Sequence, residues 1–113
     1  MTIDDLITFG ANTGEGLRRC LNNEGFYLRM VKMVPGDPNF QKLYDAIGSG
    51  DLATAFEAAH ALKGALGNLA LTPLAEPVVE LTELLRARTQ TDYTALVATI
   101  RKGRDELEAI CAK

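Results

Sequence analysis

Residues 51–71 read DLATAFEAAHALKGALGNLAL. At about 100° per residue, Leu52, Ala55, Phe56, Ala59, Leu62, Leu66 and Leu69 gather on one face, the stripe of a helix with one buried side. Asp51 is a cap-type residue in front of that stripe. The spacing therefore predicts a helix from Asp51 to about Leu71, some ~30 Å long. His60 lies off the stripe, about a quarter turn away. Its own row holds Ala53, Gly64 and Gly67. Gly64 at i+4 and Gly67 at i+7 are the positions whose side chains would crowd an imidazole. Lys63, at i+3, has a stem long enough to bring its ammonium near the ring. Two glycines inside a helix cost about 1 kcal/mol each relative to alanine. Close packing by a second helix is one way to account for them, and a lone histidine on a helix flank is most often a plain surface residue. Here the bare positions fall on the histidine's own side with a cation beside it. We therefore read the row as cleared so that a second protein can reach the imidazole. A neutral imidazole carries a nitrogen lone pair that can act as a nucleophile.

Outward from this helix the chain is helical and well punctuated. Upstream, Thr2 caps a first short helix with Asp4 and Asp5 in its first turn, and Gly10 ends it. A second runs over Thr13–Leu21 with Leu17, Cys20 and Leu21 on one side, and Asn22 and Asn23 follow as cap-type residues. Glu24–Met33 reads as a helix burying Phe26, Met30 and Met33 or Val34, with the methionines as core fillers. Pro35-Gly36-Asp37-Pro38 breaks it, and Asp37 with Pro38 at the first helical position restarts it. Phe40, Leu43, Tyr44 and Ile47 then recur at i, i+3, i+4 and i+7, a core stripe, and Gly48-Ser49-Gly50 closes that helix. Downstream, Thr72-Pro73 opens a helix through Leu74, Val78, Leu81, Leu84 and Leu85 to about Arg88. Pro77 inside it removes one backbone hydrogen bond. Thr91-Asp92 caps a last helix carrying Leu96, Ile100, Leu107, Ile110 and Cys111, with Arg101, Lys102 and Arg104 on its solvated face. No segment alternates as a strand does. Short loops make long neighbours antiparallel. The expected fold is all-α: one domain over residues 1–113, an antiparallel four-helix bundle with short N-terminal accessory helices.

Composition narrows the function. The chain has 113 residues, 47% hydrophobic and 24% charged, the make-up of one globular domain. Its net charge of −3 argues against a nucleic-acid binder. One histidine and two distant cysteines fall short of a usual zinc ligand set, so no metal site and no cofactor is expected. Asp4 and Asp5 stand where a signal peptide would carry basic residues, and no apolar run approaches a membrane span. Cys20 and Cys111 are then expected to be reduced thiols in a cytoplasmic protein. No second acid, base or nucleophile has a spacing that ties it to His60, so the chain is not expected to be an enzyme by itself.

The segment His60-Ala-Leu-Lys63-Gly64-Ala-Leu-Gly67-Asn68-Leu69 resembles the signature of histidine-containing phosphotransfer (HPt) domains, His-x-x-Lys-Gly followed by a small residue and a further glycine. Gly50-Asp51-Leu52 is similar to the family's acidic turn before the site helix. Leu71-Thr-Pro-Leu74 with Val79-Glu-Leu81 is similar to its next helix, and Phe26-Tyr27-Leu28 to the start of its preceding long helix. The resemblance implies a phosphorelay intermediate. His60 would accept a phosphoryl group from a receiver-domain phospho-aspartate and hand it to another receiver's aspartate, and Lys63 would partner the phosphoryl charge. Gly64 and Gly67 would give steric access, with Ala53 and Asn68 at the docking surface. The partners implied are response-regulator receiver domains, including those of a hybrid histidine kinase, which supply the catalytic pocket and Mg²⁺ to a monomeric carrier. Phosphoryl transfer needs mainly positioning and charge stabilisation, which a bare imidazole and one cation can offer from this side.

Three positions depart from the family. Ala65 replaces a common serine and Ala70 a common glycine, both small. On the next helix, related domains often carry a glutamate that bonds the histidine's other nitrogen; that position falls on Thr82, so His60 is expected to lack carboxylate activation. A non-transferring adaptor that binds a receiver or kinase is the alternative, and retention of both His60 and Lys63 argues against it. Met1 and a complete set of helices favour a free-standing chain.

Overall fold

The computed structural model describes all of residues 1–113 and contains helices and turns only. Seven helices follow in order: α1 Ile3–Phe9, α2 Thr13–Arg19, α3 Glu24–Met33, α4 Pro38–Ser49, α5 Leu52–Asn68, α6 Thr72–Arg86 and α7 Thr94–Cys111. Helix α5 packs between α4 and α6, and α6 packs in turn on α7. These four make the expected bundle, and the whole chain is elongated at 41 × 24 × 20 Å. Helices α1 and α3 lean on α7, and α2 bridges α1 and α3.

Local chemistry sets most of the boundaries. Thr2 accepts from the Asp5 N–H while the Asp5 carboxylate accepts from the Thr2 N–H, so two of the free donors at the start of α1 are satisfied. The bond from the Thr2 N–H holds the Asp5 carboxyl below its ordinary range. Asp37 caps α4 with Pro38 behind it, and Asp51 caps α5 by accepting from the Thr54 N–H at 3.1 Å. Gly50 lets the chain turn between them at φ 76°, in the left-handed region.

The structure corrects several boundaries. Helix α5 stops at Asn68 rather than Leu71, because Ala70 adopts φ 54° and the Leu71 N–H folds back to the Leu66 carbonyl. Helix α6 ends at Arg86 rather than Arg88 in the same way. Arg88 takes φ 54° and the Thr89 N–H reaches the Leu84 carbonyl. Thr72 lies inside α6 and Leu71 is the cap residue. The α6 helix continues through Pro77. Helix α7 begins at Thr94, two residues beyond the expected Asp92 cap, with the Asp92 carboxylate accepting from the Thr94 N–H. Helix α2 ends at Arg19, and Leu21 is 89% exposed because Leu21 and Asn22 both turn left-handed and swing it outward.

The core runs along the bundle through Phe40, Leu43, Leu62, Leu66, Leu74, Leu81, Leu85, Ile100 and Leu107. Helix α3 presents a largely different face to it than expected, and of the residues expected there only Val34 is buried. Tyr27, Val31 and Val34 are buried, whereas Phe26 and Met33 are exposed and Met30 only half-buried. Met33 is not a core filler. Tyr27 fixes this choice: its hydroxyl donates to the Leu69 carbonyl at 2.9 Å, in the interior. The Asn12 N–H bonds the Ala70 carbonyl and Arg19 bonds the Gly67 carbonyl. The N-terminal helices thus bond carbonyls in and just beyond the last turn of α5, and hold the end of the helix that carries the site.

Candidate functional site

Helix α5 divides into two sides. Ala55, Ala58, Ala59, Leu62 and Leu66 are buried among α4 and α6. On the opposite side His60, Ala53, Gly64 and Asn68 are exposed, with Gly67 and Lys63 half-buried. The structure therefore brings together His60, Lys63, Gly64 and Gly67 on one accessible strip of helix. A Cβ built on Gly64 or Gly67 meets nothing within 4 Å. Neither glycine admits a neighbouring helix, so packing within the chain does not account for them.

His60 forms no hydrogen bond within the chain, and its nitrogens are free for an incoming group. Thr82 gives it no partner: Thr82 is fully buried and its hydroxyl donates to the Val78 carbonyl of its own helix at 2.7 Å. Lys63 forms no ion pair with any carboxylate. Its charge is not already neutralised.

One neighbour departs from the sequence reading. Phe56, placed on the core stripe, is half-buried at its edge. Its ring stacks on the His60 ring, centroids 5.6 Å apart and planes 16° from parallel. The same ring carries two guanidinium groups, with the Arg86 and Arg88 Cζ atoms 5.1 and 5.5 Å from its centroid. Arg86 closes α6, and Arg88 follows in the left-handed turn. The side chain of Arg88 is anchored by a bond to the Leu85 carbonyl at 2.6 Å. Two cations from the end of α6 thus share the Phe56 ring with the imidazole. A Phe four residues before the histidine was a visible signal; the two arginines were not, because the turn after α6 brings them there.

Chemically the strip offers an accessible imidazole with one face covered, cations to hand, and no nucleotide loop or metal cluster of its own. No helix is long and apolar enough to cross a membrane. A search of the curated proteins found no match, nor did a search of the solved structures. Residues 36–112 match the family model of the Hpt domain. That span opens at the turn before α4 and takes in α4 to α7, with His60 mid-helix. With the match covering most of its length and the helical bundle bearing it out, the chain belongs to the Hpt domain family.

Proposed function

We propose that His60 is a phosphoryl acceptor that takes a phosphoryl group from a receiver-domain phospho-aspartate and passes it to a second receiver's aspartate. Membership of the Hpt family implies a histidine-phosphotransfer role in a phosphorelay, by modules that carry phosphoryl groups, are not enzymes in their own right, and interact with receivers. The observation that carries the finer reading is the open strip: an exposed His60 with clear space over Gly64 and Gly67. A receiver's phospho-aspartate lies in a pocket of its own, so a second protein reaches it only where nothing stands proud of the acceptor.

In the step, the lone pair of an unprotonated His60 nitrogen attacks the phosphorus of the acyl phosphate. The N–P bond forms as the P–O bond to aspartate breaks, and the carboxylate leaves with that electron pair. The other ring nitrogen holds its proton through the attack and then releases it to water, which leaves the ring of the phosphoimidazole neutral. Onward transfer reverses the sequence. Lys63 is the unpaired cation on the histidine's own helix, placed to partner the roughly two negative charges of the phosphoryl group. Gly64 and Gly67 give access, and Ala53 and Asn68 edge the contact. Phe56 covers one ring face and so limits the imidazole's rotation. Mg²⁺ and the acidic pocket belong to the receiver.

The test is incubation with a receiver charged by acetyl phosphate. Label on the chain that is acid-labile, alkali-stable and absent from His60→Gln supports the reading. No label across several receivers would leave an adaptor that binds without transfer.

A further inference from the structure

We propose that Phe56 is a positioning residue that holds the Arg86 and Arg88 guanidinium groups on the ring that also stacks on His60, and that both cations donate to the phosphoryl group once it forms. The inference rests on the reading of His60 as the acceptor and names what stabilises the phosphorylated state. Three contacts converge on one ring: the His60 imidazole at 5.6 Å and the two Cζ atoms at 5.1 and 5.5 Å. An aromatic face attracts a guanidinium without neutralising it. The arginines are therefore held on the ring that His60 stacks on, and still carry their charge.

Their other ties are light. Arg86 has a single exposed carboxylate partner, Glu83, at 3.5 Å. Arg88 donates to one carbonyl, and its guanidinium keeps further N–H groups free. Before transfer the strip must admit an imidazole nitrogen to an acidic receiver pocket, and the ring keeps the arginines to one side. After transfer about two negative charges stand on the imidazole. A guanidinium binds phosphate oxygens by paired, charge-assisted hydrogen bonds, which exceed its attraction to a ring. Either guanidinium can turn its N–H groups to the phosphoryl oxygens while its plane stays against the ring, so the ring contact is kept in the phosphorylated state and lowers the cost of ordering the arginine there. Lys63 approaches along α5 itself, whereas these two come from the end of α6, so cations reach the phosphoryl group from two helices.

The consequence is thermodynamic and is best read at equilibrium. The partition of phosphoryl groups between a receiver and this chain depends only on the separate proteins in their two states. Any loss of docking affinity drops out of it. Wild type, Arg86→Gln/Arg88→Gln, Phe56→Leu and Phe56→Tyr would each be equilibrated with one acetyl-phosphate-charged receiver, and phosphohistidine measured against phospho-aspartate. Thermal melts would verify that each variant is folded. The double arginine variant is expected to shift the partition toward the receiver by roughly tenfold. Phe56→Leu should shift it part of that way, and Phe56→Tyr, which keeps the ring, should match wild type. An unchanged partition in the double variant, with wild type still labelled, overturns the role of the arginines and leaves the acceptor reading standing. A Phe56→Leu partition equal to wild type overturns the role of the ring. Failure of wild type to take label removes the acceptor reading itself.

Discussion

Helix-interior glycines occur at two kinds of place in this molecule, and they do opposite work. Gly16 in α2 lies under Tyr27, where an added Cβ would stand 2.5 Å from the ring. Gly64 and Gly67 in α5 face open space, with nothing within 4 Å of the same added atom. Both kinds accept the backbone freedom that glycine brings to a helix. At Gly16 the return is visible within the chain: the bare position lets Tyr27 reach the Leu69 carbonyl. At Gly64 and Gly67 no contact within the chain gains from the missing side chain. A bare position that serves no internal contact, beside the only histidine, points to a contact made by another protein.

The comparison can be broken by substitution. The largest effect is expected at Gly16→Ala, where the new methyl must displace a ring held by its own hydroxyl. Overpacking of this kind costs about 2–3 kcal/mol, measured by chemical denaturation. Tyr27→Phe should follow, at about 1–2 kcal/mol, because it leaves the buried Leu69 carbonyl without its donor. Gly64→Ala and Gly67→Ala should each do the reverse and stabilise the fold by about 0.5–1 kcal/mol through helix propensity alone. Destabilisation at either would show that the strip packs against something in the chain, and the contrast would collapse. The smallest effect is expected at Gly103 in α7. There an added Cβ would meet the Leu74 side-chain tip at 3.0 Å, and a few tenths of an ångström of give is enough. Gly103→Ala should change stability by less than about 0.5 kcal/mol, as helix propensity and crowding offset each other.

What the sequence made legible follows the range of the physics. The Asp37-Pro38 start, the Gly50 turn and the Asp51 cap are each set by bonds within a few residues, and each was readable. The open row of His60, Gly64 and half-buried Gly67 was readable for the same reason, since helical geometry alone places it. The buried face of α3 was not. Phe26, Met30 and Met33 recur at the same helical spacing as Tyr27, Val31 and Val34, one residue out of register. Periodicity cannot choose between two apolar stripes on one ten-residue helix. The choice is made by a carbonyl more than forty positions away and by the space over Gly16. Phe56 escaped for a related reason: it lies at the edge of the core stripe, and its partners arrive only through the turn after α6. Helix ends at Ala70 and Arg88 were misplaced because both residues turn left-handed without being glycine.

The measurement that bears most directly on the central claim compares Gly64→Ala with Gly64→Leu. Both would be mixed with an acetyl-phosphate-charged receiver, and the rate of label appearing on His60 followed alongside a thermal melt. The open strip predicts that both variants fold, that Gly64→Ala transfers near the wild-type rate, and that Gly64→Leu is slowed by about tenfold or more, since small misplacements at a reacting centre are costly. A folded Gly64→Leu that takes label as fast as wild type would show that the receiver does not approach over this row.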